Sequence, residues 1–286
     1  MKRGGNACSS KKQFMSLVDF KKIIDEIGNW EGEHIKNLRL YNAGEPMLNP
    51  EFKDMLLYLK DKNVSDRIEI TSNCSLLTKE LAETIVDVGI DYLRVSVYAT
   101  NDVEKADFTR NSISVNKIID NVKYLREYRE RAGKKKPFIY VKTLDTLCND
   151  ENLFFDQYEG IADEIKIEET MDWNGTIDAP GSKKMTGKKI CPWIFYFMLI
   201  NPDGSVGSCC VDTEKAINHG NVLTQSVKDV WEGEALFNFQ IQQIKDRKKI
   251  EFCSKCDTFL NDKFTIDNVD HINLDEFIRR KKERLN

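Results

Sequence analysis

Apolar positions over the first 170 residues alternate between two periods. In "SLVDFKKIIDEIGNW" they recur at 17, 20, 24 and 27, the spacing of one helix face, with Ser16 and Asp19 placed as a capping box. "NLRLY" then reads as a short strand. "NPEFKDMLLYLKDK" predicts a helix capped by Asn49, with Pro50 at its first position. "RIEIT" is a strand, and "TKELAETIVDVG" is a helix stopping near Gly89. "YLRVSVY" is a strand, and "SVNKIIDNVKYLREYRERAG" is a long amphipathic helix ending at Gly133. "FIYVKTL", "ENLFFDQYEGIA" and "DEIKIEE" continue as strand, helix, strand. The expected strands lie near 37–41, 67–71, 91–97, 138–143 and 163–168.

Such alternation implies an α/β fold with parallel strands joined by right-handed helical crossovers. The sheet is either open and doubly wound or part of a barrel. In both, ligands gather at the carboxyl ends of the strands. Those ends read "NAGEP" (42–46), "TSNC" (71–74), "SVYAT" (96–100) and "KTLDT" (142–146), polar and glycine-containing. The expected organisation is an α/β domain over 1–172, a linker over 173–190, a cysteine-rich module over 191–262 and a terminal helix over 263–286. The linker has no periodicity. The lysine runs at 134–136 and 183–189 read as solvated loops.

Composition narrows the function classes. The 286 residues are 41% hydrophobic and 31% charged with a formal net charge of −4, an ordinary globular balance with no basic surface for nucleic acid. No apolar run has transmembrane length, and "MKRGGNACSSKKQ" has no apolar signal region, so the expected location is cytoplasmic, with no membrane partner. The eight cysteines therefore need a purpose other than disulfides. Cys8, Cys74 and Cys148 are scattered, whereas Cys191, Cys209, Cys210, Cys253 and Cys256 lie in the last third. Two metal readings are open. Zinc wants four ligands, often as two Cys-x-x-Cys knuckles, and only Cys253 and Cys256 form one. An iron–sulfur cluster accepts four widely spaced thiolates, which suits this spacing better.

Cys191, the "NPDGSVGSCCVD" turn, "HGNVLTQSVKDVWEGEALFNFQ" and "CSKC" together resemble the SPASM or twitch domain that follows the barrel in many radical S-adenosylmethionine (SAM) enzymes. The resemblance implies one auxiliary [4Fe–4S] cluster held by Cys191, Cys209, Cys253 and Cys256, since no cysteine follows Cys256. It makes Asp203-Gly204 a hairpin turn and leaves two readings of Cys210, a ligand in place of Cys209 or a small buried residue beside the cluster. Upstream, "NAGEP" resembles the Gly-Gly-Glu-Pro motif after the second barrel strand, with Ala43 in place of the first glycine. "TSNC" resembles Thr-x-Asn-Gly, with Cys74 in place of glycine, and "VSVYA" resembles the fourth strand. These likenesses imply that Gly44, Glu45, Pro46, Asn73 and Ser96 bind SAM at one mouth of a partial (β/α) barrel. Lys142 reads as a solvated strand-end residue, and Asp212 as a turn cap.

One departure stands out. The family's SAM-binding cluster needs Cys-x-x-x-Cys-x-x-Cys, and this sequence has no such triad and no apolar strand before its first helix. The opening resembles the connection just after that triad, which makes the chain an expected truncated form with Met1 internal. A complete form would hold SAM and a second [4Fe–4S] cluster, receive electrons from a flavodoxin or ferredoxin, and abstract a substrate hydrogen through a 5′-deoxyadenosyl radical. Its implied substrate is a peptide, a carbohydrate or another small molecule, and the auxiliary cluster would accept an electron or anchor substrate. The alternatives from other classes are a non-catalytic iron–sulfur or electron-transfer protein of the same fold, and a structural zinc module.

Overall fold

The computed structural model describes residues 14–42, 44–108, 113–170, 187–256, 258 and 267–285. Cys8, Ala43, most of the expected linker and residues 259–266 lie outside the described residues. The chain divides into two compact units, Phe20–Thr170 and a second made of Met171–Asn286 with Met1–Asp19.

The first unit is a partial β/α barrel. Strands β1 (Ile35–Arg39), β2 (Ser65–Ser72), β3 (Tyr92–Ser96), β4 (Phe138–Leu144) and β5 (Glu164–Glu168) form one sheet in that order. Every neighbouring pair is parallel, as in Thr71↔Arg94 and Ser96↔Lys142. Helices α1 (Leu17–Gly28), α2 (Phe52–Leu59), α3 (Lys79–Val88), α4 (Asp102–Phe108), α5 (Val115–Arg131) and α6 (Glu151–Tyr158) alternate with the strands. Alternate strand residues divide between two faces. Ile70, Leu93, Val95, Ile139 and Val141 point to the helices, where they meet Leu56, Ile85, Val122, Leu125 and Phe154 in one core. Burying each such side chain contributes about 1.5–3 kcal/mol. On the other face, Arg39 and Arg67 pair with Glu69, and Lys142 pairs with Glu168.

Local signals set the helix ends. Thr78 Oγ1 accepts from Leu81 N at 3.2 Å, Ser114 Oγ from Lys117 N at 3.2 Å and Asp150 Oδ1 from Leu153 N at 2.9 Å. Gly89, at φ 84°, stops α3 in the left-handed region. Two expectations need correction. The helix after Asn49 begins only at Phe52, because Asn49 Oδ1 takes the Glu51 N–H at 3.0 Å and closes a turn first. Helix α4 was not predicted at all. Its start is fixed by Asn101 Oδ1, which accepts from Glu104 N at 3.0 Å.

The second unit is built around a hairpin. Strands β6 (Leu199–Ile200) and β7 (Val206–Gly207) pair antiparallel across the Asp203-Gly204 turn. Gly204 is required there: its φ is 79°, and a Cβ would lie 2.4 Å from Leu223 and 2.5 Å from Asn221. Helices α7 (Val227–Glu232), α8 (Glu234–Asp246), α9 (Glu251–Ser254) and α10 (Leu274–Leu285) follow. Ser226 and Asp229 form a capping box at the start of α7. Phe277 of α10 packs its ring against Phe195 and Phe237. No helix of the described residues is long and apolar enough to cross a membrane.

Candidate metal centre and cofactor site

Four thiols line one cavity in the second unit: Cys191, Cys209, Cys253 and Cys256. They come from three separated segments. Cys191 precedes the short 3-10 turn Pro192–Phe195, Cys209 follows β7, and Cys253 and Cys256 flank the end of α9. Cys210, adjacent to Cys209 in sequence, is not among the residues lining the cavity. Ile194, Ile217, Phe239 and Phe252 make the remaining wall largely apolar.

Burial dominates the chemistry of these thiols. It pushes Cys191 up to about 12 and Cys253 up to about 11, and it raises Cys209 further still. Backbone N–H groups of Trp193 and Val211 act in the opposite sense on Cys191 and Cys209, as does the Gln243 side chain on Cys253. Burial that keeps Cys191, Cys209 and Cys253 protonated suits a group that displaces their protons on binding. Among the described residues no three His, Cys, Asp or Glu side chains converge as the ligands of a single metal ion do. The four thiols share one cavity, and four thiolates are the ligand set of a four-iron cubane.

Asp212, beside the cysteine pair, caps a turn as expected. Its carboxylate accepts from Ala216 N at 2.9 Å and Ile217 N at 2.7 Å.

At the carboxyl edge of the parallel sheet the structure brings together several residues expected to bind SAM. Glu45 caps the 3-10 turn Pro46–Leu48 by accepting from Met47 N at 3.1 Å. The same carboxylate accepts from Ser72 Oγ at 2.7 Å and Asn73 N at 2.8 Å. The loops after β1 and β2 are therefore joined through one side chain. Gly44 holds φ 102° with open space around the Cβ position, so glycine there serves the backbone path. Asn73 and Ser96 line a second cavity with Tyr98, Lys105 and Tyr158. Cys74, at the position where the family motif has glycine, adopts φ 54° and is fully buried. Lys142 binds Glu168 Oε2 at 2.5 Å instead of standing in solvent.

Lys105 and Gln243 were not singled out from the sequence. Lys105 sits on the unpredicted helix α4 and is 6% exposed. Gln243 lies in an amphipathic helix, where a glutamine ordinarily reads as surface.

The radical SAM superfamily model matches residues 7–141, and the SPASM model, an iron-sulfur cluster-binding domain, matches residues 191–257. A radical SAM domain and a SPASM domain are therefore both found in this chain. These two domains imply [4Fe–4S] clusters and SAM as cofactors. Over 139 residues this chain is 29% identical to the tungsten-containing aldehyde ferredoxin oxidoreductase cofactor-modifying protein of Pyrococcus furiosus. That match covers 47% of the chain and 36% of the relative, so the chain spans about a third of the relative's length. Among solved structures, BtrN in complex with AdoMet and 2-DOIA superposes with a TM-score of 0.56 at 14% identity, over 88% of this chain and 84% of that one. Native anSMEcpe with bound AdoMet and the Cp18Cys peptide gives 0.54 at 12% identity, over 94% and 88%. At these identities the likeness is one of fold.

Proposed function

We propose that the chain is the barrel-and-SPASM portion of a radical SAM modifying enzyme, with one auxiliary [4Fe–4S] cluster held by Cys191, Cys209, Cys253 and Cys256. The observation that carries this reading is the convergence of those four thiols, from three distant segments, on one apolar cavity. SAM, held at the carboxyl strand edge, would supply the hydrogen-abstracting group. The residues of this chain position it. The backbone around Gly44 and Pro46 would receive the SAM amino group, with Asn73 and Ser96 beside it at the same strand edge. Glu45 braces that site by tying its loop to the Ser72-Asn73 segment. The apolar wall around the thiols keeps water from the auxiliary cluster.

The substrate is a peptide or a small molecule. BtrN was solved with 2-DOIA and anSMEcpe with a peptide, and the Pyrococcus furiosus relative is named for modifying a cofactor. A reduced thiol set suits the cytoplasm, where a flavodoxin or ferredoxin would deliver electrons. Anaerobic reconstitution with iron and sulfide tests the reading. We expect about four irons and four sulfides per chain, with the EPR signal of a reduced [4Fe–4S] centre. Stoichiometric zinc without iron would replace the proposal with the zinc module.

A further inference from the structure

Gln243 occupies an unusual position. It lies on α8 (Glu234–Asp246), is 1% exposed, and faces the thiol-lined cavity. Its Nε2 donates to Cys253 Sγ at 3.0 Å, while its Oε1 is buried with no hydrogen-bond partner. Burying a primary amide costs several kcal/mol unless its polar atoms are paired. A neutral thiol is a weak acceptor and repays little of that cost, whereas a thiolate sulfur is a strong one. The amide is thus paired with a sulfur whose acceptor strength depends on what is bound.

A cation lies close by. Arg247, 9% exposed, donates from Nη1 to the carbonyls of both Cys253 and Cys256, at 3.0 Å for the latter. The Cys-x-x-Cys segment is therefore gripped at its backbone by a guanidinium and at a sulfur by an amide. Both come from the same stretch of chain, α8 and the 3-10 turn after it.

We infer that Gln243 is a tuning residue of the auxiliary cluster, donating to the Cys253 thiolate and, with the Arg247 guanidinium, raising the reduction potential above what four thiolates alone would set. The inference rests on Cys253 being a cluster ligand. Hydrogen bonds to cluster sulfur and nearby positive charge both draw electron density from the iron and stabilise the reduced state. A cluster tuned upward accepts an electron more readily, which favours electron acceptance over substrate anchoring, the two roles the resemblance implies for it.

The test uses the full chain, reconstituted anaerobically, with iron content read before any potential. Failure of the wild type to bind iron would remove the ligand reading itself, a separate result from failure of the tuning. With iron bound, EPR-monitored titration of wild type and Gln243→Met is expected to show equal iron and a lower midpoint potential in the variant. Gln243→Glu is expected to fall lower still, since it adds negative charge. Equal potentials at equal iron content would overturn the inference. Should Gln243→Met lose its cluster, a measurement on the wild type decides. With glutamine amides labelled with 15N, the reduced cluster should show a hyperfine coupling to one side-chain nitrogen, and its absence would overturn the inference as well.

Discussion

Glu45 Oε2 lies 2.8 Å from the backbone nitrogen of Asn73, so the loop after one strand is fastened to the loop after the next. The same carboxylate holds Ser72 Oγ and Met47 N. Hydrogen bonds to a charged group contribute about 1.5–3 kcal/mol each, and the net is smaller when water can replace the partner. Glu45→Ala removes all three at once and is expected to cost about 2–3 kcal/mol. Glu45→Gln keeps one oxygen and turns a donor toward donors, so its cost should be intermediate. Urea denaturation of the three proteins checks the order. An alanine variant as stable as wild type would show that the carboxylate does not brace this edge.

Cys74 offers a second test, of backbone strain. Its φ of 54° costs a non-glycine residue roughly 1–2 kcal/mol. Its carbonyl is fixed there by Asn121 Nδ2 at 2.9 Å. Burial of the side chain offsets part of that cost. Cys74→Gly relieves the strain and loses the burial, so it should be near neutral. Cys74→Ala loses burial and keeps the strain, so it should be the less stable variant by about 1 kcal/mol. The reverse order in a denaturation series would refute this account.

These two residues show what a sequence exposes and what it hides. The strand and helix periods and the stop at Gly89 were legible because each depends on a few adjacent residues. The matched motifs at successive strand ends were legible for the same reason. Helix α4 was not, since "NDVEKADF" has too few apolar positions to set a period. Lys142 pairing with Glu168 and Gln243 reaching Cys253 were hidden too. The first is a contact across 26 residues, and the second depends on how the chain turns between α8 and α9.

His219 predicts a pH dependence. It is 7% exposed, with its Nε2 2.9 Å from Ser208 Oγ, and burial lowers its pKa to about 4. An unfolded histidine takes its proton near 6.5. Between these values the unfolded chain binds the proton and the folded chain does not. The stabilising contribution is therefore complete above about pH 6.5 and is lost as pH falls toward 4. A shift of this size corresponds to at most about 3 kcal/mol. In His219→Gln the group is gone, so stability should fall less between pH 7 and 4 than in wild type. Parallel urea midpoints for both proteins across that range would contradict the assignment.

The cysteines give the most discriminating prediction, because seven of them sit in described positions and only four share the cavity. A cubane held by four thiolates loses one corner when any of the four is removed, and the exposed iron then becomes labile. Cys191→Ala, Cys209→Ala, Cys253→Ala and Cys256→Ala should each lose iron or retain a cluster that bleaches rapidly. Cys74→Ala and Cys148→Ala should keep full iron, since neither thiol lines the cavity. Cys210→Ala carries the sharpest outcome. It is adjacent to Cys209 in sequence, so spacing alone does not separate the two, whereas only Cys209 lines the cavity. Full iron in Cys210→Ala with loss in Cys209→Ala is the expected pair of results. The opposite pair would move the ligand by one residue and require the segment after β7 to turn its other thiol inward.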